Sequence, residues 1–173
     1  MNKNLELARA IIVLPGTALV LIPGLILYNT EPLFFLFGLK FPAALWPLGI
    51  GLVFAVSGLL AAFKTVSLFM TVGDGTPAPW APPKNFVVEG PYRYVRNPML
   101  LSVLAVLLAE ACFLGSIPIL VWCLVFWLIN TLYFIYVEEP GLVKRFGADY
   151  VEYKKHVRRW LPRLKPWKRG QLC

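Results

Sequence analysis

The sequence is almost without histidine. His156 is the only one, and no cysteine stands beside it. The three cysteines, Cys112, Cys123 and Cys173, lack metal-ligand spacing, so a structural zinc site and a histidine-based metal centre are excluded. Cys173 is not expected to be prenylated, because that signal needs three residues beyond its cysteine. No Gly-x-Gly-x-x-Gly fingerprint and no nucleic-acid motif is present, so the net charge of +8 is not read as a nucleic-acid surface. Acids are few, nine against seventeen Lys and Arg, which makes each acid inside or beside an apolar run conspicuous. A cleavable signal is not expected either, since the first apolar run is long, follows Glu6 and lacks a clear small-residue cleavage site.

Apolar side chains are abundant. They make up 58% of the residues and give a mean hydropathy of +0.67, far above the soluble average. The chain is read as one all-α, polytopic membrane domain. A helix needs about 20 residues to cross about 30 Å of hydrocarbon, and apolar runs at 10–28, 42–63, 99–114 and 117–137 predict about four transmembrane helices, the third short. The run "LFFLFGL" at 33–39 suits an interfacial or re-entrant piece. Residues 1–70 form the N-terminal transmembrane part, and 71–173 the loop, helical hairpin and basic tail, in one integrated domain.

Lys and Arg collect on the cytoplasmic side of membranes. With the amino terminus inside, Lys3, Arg9, Lys64, Lys84, Arg93, Arg96 and ten cations of the tail face the cytoplasm, and only Lys40 lies outside. Both termini are therefore expected to be cytoplasmic, with the tail facing anionic lipid.

Pro15, Gly16, Pro23, Gly24, Pro47, Gly49, Gly51 and Gly58 fit close helix packing in lipid. The proline-rich stretch 71–97 reads as a cytoplasmic loop, with Trp80 and Phe86 placed either as a lid or as interfacial anchors. Gly115 and Ser116 alone join the third and fourth runs, so the hairpin brings Asn97 and Glu138 together. In the tail, Leu142, Phe146, Tyr150, Tyr153, Val157, Trp160 and Leu164 recur at spacings of three and four. They predict an amphipathic basic helix on the inner leaflet, bent or broken at Gly147. Periodicity leaves open whether it also closes a pocket.

The candidate chemistry sits at "GPYRYVRNPM", residues 90–99. Asn97 and Pro98 form a strong helix start, with Asn97 expected to accept from first-turn amides. Arg93 and Arg96 beside that helix terminus suit a carboxylate or phosphate, and equally suit topology and lipid headgroups. Glu138 and Glu139 do nothing for positive-inside anchoring. They suit either a hydroxyl or ammonium ligand or ion pairs with Arg93, Arg96 or Arg145. Glu110 is an intramembrane acid nearer the outer side, suited to snorkelling or a helix contact as well as to function. Asn130 and Tyr133 fit either an acceptor channel or interhelical hydrogen bonds.

The first block, a hairpin of about forty residues, and "EEPGLVKRFGADYVEYKKHVRRWLPR" together resemble the isoprenylcysteine carboxyl methyltransferase family and its phospholipid methyltransferase relatives, over roughly residues 73–163. The resemblance implies an integral membrane enzyme binding S-adenosylmethionine at the inner ends of the last two helices and in the tail, with a lipophilic acceptor entering from the bilayer. It implies cofactor contacts from Tyr92, Arg93, Arg96, Asn97, Pro98, Glu138, Glu139 and Tyr150; Tyr153 also fits the tail pattern. Arg96 and Glu139 are the expected catalytic pair, Arg96 orienting an acceptor or cofactor carboxylate and Glu138 or Glu139 holding a ribose or ammonium group. The family's Arg-His-Pro reads Arg96-Asn97-Pro98 here, and Leu100 and Ser102 replace its usual Tyr and Gly. Asn97 cannot take a proton near neutral pH, which favours a carboxylate acceptor over an amine. A membrane reductase of steroid-reductase type using NADPH, and a non-catalytic lipid-binding scaffold, are the alternatives.

Overall fold

The structure, a computed structural model, describes residues 3–30, 39–76 and 82–168. Within them it is helical, with no strand. Helix α1 (Lys3–Gly16) runs through a π-helical turn (Thr17–Leu21) into α2 (Ile22–Asn29). Then follow α3 (Leu45–Thr71), a 3-10 turn (Gly90–Arg93), α4 (Pro98–Leu114) and α5 (Ile117–Tyr133), which continues through a second π-helical turn (Phe134–Glu138) into α6 (Glu139–His156). Three helical runs are long and apolar enough to cross a membrane: Ile12–Asn29, Leu45–Thr71 and the apolar part of Ile117–His156. The fourth, α4, is apolar but has only 17 residues, roughly 25 Å at 1.5 Å per residue. Large side chains such as Ile12, Val20, Val53, Phe63 and Leu124 are well exposed along these runs, as surfaces facing acyl chains rather than water should be. The expected piece at 33–39 and Trp80 of the expected lid lie outside the described residues, apart from Leu39.

Helices α3 and α4 pack antiparallel. Gly51 of α3 faces Phe113, and Gly58 faces Ser102 and Val106. A Cβ on Gly58 would meet the Ser102 carbonyl oxygen at 2.9 Å, so that glycine sets the closeness of the two helices. Gly24 and Gly49 have open space instead and take no part in this packing.

The α4–α5 hairpin forms as its sequence dictates. Gly115 ends α4 with a positive φ, and the Ser116 hydroxyl accepts from the Ile119 amide to start α5. Leu104, Leu107 and Cys123 form the core between the two helices, with Trp122, Phe126 and Trp160 packed around it.

A second core lies past the apolar part of the α5 run. Tyr150, Tyr153, Val157 and Trp167 pack with Phe86, Leu142 and Phe146. The loop after α3 doubles back to reach it, its Lys84 and Asn85 amides donating to the Gly73 carbonyl and Asn85 Nδ2 to that of Val72. Phe86 then stacks on Phe146 and meets Tyr150 and Tyr153 edge-on.

The tail differs from the single helical stripe expected to 164. Helix ends at His156, and Val157 is extended. Competing hydrogen bonds explain the change: Arg158 O accepts from the Arg96 amide, while the Arg163 and Trp167 amides donate to Tyr94 O and Arg93 O. The chain straps across 93–96, a course that also suits Pro162 and Pro166, which cannot donate inside a helix. The break at Gly147 is present, with φ 56° and ψ −131°, a conformation reserved in practice for glycine.

Candidate cofactor and acceptor site

The strap, the 3-10 turn and the start of α4 meet α6 at Arg96. Its Nη1 donates to Glu139 Oε1 at 2.9 Å. Glu139 also receives Arg159, Nη2 at 2.6 Å, and Lys154 Nζ at 2.6 Å on its other oxygen. One buried carboxylate, 3% exposed, thus holds three cations. A buried ion pair is retained when its geometry satisfies both partners, and here the surplus positive charge leaves Arg96 able to meet a further acceptor.

Arg96 lines a cavity of about 670 Å³, within the range of small-molecule sites. Its polar end is formed by Arg96, Asn97, Glu138, Arg145, Tyr92 and Tyr150. The other end runs between helices, past Leu14 and Leu19, Leu59 and Val66, Val103 and Val106, and Phe126. A polar ligand head and an apolar chain therefore find different walls in one continuous space.

Two donors at the polar end lack partners. Arg96 Nε and Asn97 Nδ2 are buried without a hydrogen bond, and Asn97 is only 6% exposed. A buried unsatisfied donor costs roughly 1–3 kcal/mol; both residues line the cavity, and donors turned toward it would suit an anionic oxygen. Across the polar end, Glu138 lies within electrostatic reach of Tyr133 and Arg145. Arg145 in turn donates to the Pro83 carbonyl and lies over the Phe146 ring. Tyr153 donates to the Tyr92 carbonyl at 2.7 Å. Burial, with Tyr153 adding to it, pushes the Tyr92 hydroxyl far above the ordinary phenol range, so it stays protonated.

Of the residues expected at the site, Tyr92, Arg96, Asn97, Glu138 and Tyr150 line the cavity, as do Asn130 and Tyr133. Arg93, Pro98 and Glu139 stand behind it. Arg93 Nε donates to the Trp167 carbonyl and so ties down the strap. Pro98 is buried in the first turn of α4. Glu139 is occupied by three cations, Arg96 among them. Asn97 begins the helix only with its backbone: the Leu101 amide donates to its carbonyl, and its side chain makes no cap. Glu110 is absent from the cavity wall, and its Oε2 is buried without a partner.

Sequence reasoning missed Lys154 and Arg159 as partners of Glu139, since only the reversal of the tail brings Arg159 back. Arg145 did carry a signal as a cavity residue, lying two helical turns after Glu138 on the same face.

The donor set fits S-adenosylmethionine. Arg96 and Asn97 suit its carboxylate, Glu138 suits an ammonium or ribose hydroxyl, and the rings of Phe86 and Tyr150 offer apolar walls for a base.

A relative from Haemophilus influenzae (strain ATCC 51907 / DSM 11121 / KW20 / Rd), described as an uncharacterized protein, is 40% identical over 63 residues, which are 36% of this chain and the whole of that relative. The family model described as phospholipid methyltransferase matches residues 39–149. That match takes in α3, the arginine corner, the hairpin and α6 as far as Asp149, and the chain belongs to the phospholipid methyltransferase family.

Proposed function

We propose that this protein is a four-span membrane methyltransferase that moves a methyl group from S-adenosylmethionine to a lipophilic acceptor. One observation carries the reading: Arg96 and Asn97, each with a donor that lacks a partner, line the polar end of a cavity whose other end is apolar and lies among the spanning helices. Family membership supports it.

Bound there, S-adenosylmethionine supplies a methyl group on a positively charged sulfur, open to displacement by a nucleophile. The protein's part is alignment and exclusion of water. Arg96, fixed by Glu139, and Asn97 hold a carboxylate. Glu138 accepts from a hydroxyl or ammonium group. Phe86 and the loop around it cover the polar end, while Leu19, Val103 and Phe126 hold the acceptor's chain.

Asn97 offers no proton acceptor near neutral pH. A carboxylate acceptor, already ionised, needs none, whereas a protonated amine does. We therefore place a lipophilic acid, of the isoprenylcysteine type, ahead of a phospholipid amine. The charge distribution favours a cytoplasmic site and cytoplasmic termini.

The test is transfer of radiolabelled methyl from S-adenosylmethionine into membrane extract by the purified protein. Label that base releases as methanol identifies a methyl ester and a carboxylate acceptor. Base-stable label identifies an amine and overturns the acceptor assignment. No transfer to any extract by protein that binds the cofactor would refute the enzymatic reading.

A further inference from the structure

The strap after α6 carries a surface that the cofactor site does not use. Its two tryptophans face inward: Trp160 packs onto the α4–α5 core and lies 6.3 Å from Trp127, ring to ring, and Trp167 joins the Tyr150–Tyr153 core. Between them Leu161 is 62% exposed and Leu164 fully so. Arg158, Lys165 and Lys168 are exposed along the same segment.

The contact with Trp127 fixes the level of the strap. Trp127 lies roughly 16 Å along the helix before Glu138, at about 1.5 Å per residue, well inside the apolar run of α5. Trp160 only reaches toward that level with its ring, while its neighbour Arg159 pairs with Glu139 at the inner end of the run, so the strap backbone lies at the edge of the hydrocarbon. Leu161 and Leu164 are therefore placed at the bilayer interface, and the cations beside them match anionic headgroups.

We propose that this strap, residues 157–168, docks on an anionic bilayer surface and that docking holds the Arg96 corner in place. Leu161 and Leu164 enter the interface, and Arg158, Lys165 and Lys168 meet lipid phosphates. The coupling is direct: Arg96 N donates to Arg158 O at 2.9 Å, and the next residue, Arg159, pairs with Glu139, which holds the Arg96 guanidinium. The α6 stripe, expected on the membrane, is instead largely buried on protein, and the membrane contact moves to the strap.

The experiment uses the full chain in nanodiscs of phosphatidylcholine alone or of phosphatidylcholine with phosphatidylglycerol. A fluorophore on Leu164→Cys, with the native cysteines replaced, reports contact with nitroxide lipids. Hydrogen exchange at 93–97 on the unlabelled chain reports the corner and is independent of any labelled variant's folding. Docking predicts quenching at 164, and slower exchange at 93–97 in the anionic discs that is lost in Lys165→Gln/Lys168→Gln. Absence of quenching in both discs overturns the docking. Quenching with exchange indifferent to lipid charge overturns the coupling. Neither readout needs the cofactor, so both stand apart from the proposed reaction.

Discussion

Glu139 grips Arg96 from behind: the carboxylate accepts Nη1 at 2.9 Å while the guanidinium stands at the cavity wall. Removing the acid leaves Arg96, 10% exposed, beside Arg159 and Lys154 with no negative partner. Loss of one partner of a buried pair costs roughly 3–5 kcal/mol. Because Lys154 and Arg159 have partial access to solvent, the lower end of that range is expected for Glu139→Gln. Lys154→Gln, at a side chain 44% exposed, should cost about 1 kcal/mol or less. Denaturant unfolding in a fixed detergent checks both, and equal stabilities would contradict the positioning role.

Asn97→Ala separates binding from folding. Its amide nitrogen has no partner to lose, so stability should be unchanged or slightly raised. Affinity for S-adenosylmethionine should fall about tenfold, the equivalent of about 1.4 kcal/mol. A large loss of stability with unchanged affinity would assign Asn97 to the fold instead.

The two halves of the chain are held by close backbone approach at Gly58. Gly58→Val should destabilise by several kcal/mol, since the Ser102 carbonyl and Val106 already crowd the Cβ position. Gly49→Ala, in open space on the same helix, should be neutral or stabilise by up to about 1 kcal/mol. Thermal unfolding of the two variants checks the contrast.

Sidedness is testable by labelling intact and opened vesicles. Cysteines at Lys40 and Lys155, each in a background without native cysteines, should react from opposite faces, with position 155 cytoplasmic. Reaction of both from one face would contradict the proposed four-span arrangement.

Much of this was legible in the sequence. The hairpin followed from Gly115, Ser116 and Pro118, and Arg96 and Glu138 could be brought together because a two-residue link forces two helices side by side. What periodicity could not convey was the competition after His156. Val157, Trp160 and Leu164 continue a helical spacing, yet the backbone leaves the helix to bond with Arg93, Tyr94 and Arg96. Those bonds join residues some seventy positions apart, and no local pattern encodes them. The division of labour between Glu138 and Glu139 was hidden for the same reason. Adjacent acids on a helix point in different directions, and Arg96, Lys154 and Arg159, converging from three segments, decide which one is occupied.

The proposed reaction depends on what the polar end of the cavity holds. Equilibrium binding of S-adenosylmethionine to the purified protein, beside Asn97→Ala and an NADPH control, tests it most directly. Saturable binding, weakened about tenfold by the substitution, is expected, with none of NADPH. Tight NADPH binding, or no S-adenosylmethionine binding in a sample shown to be folded, would contradict it.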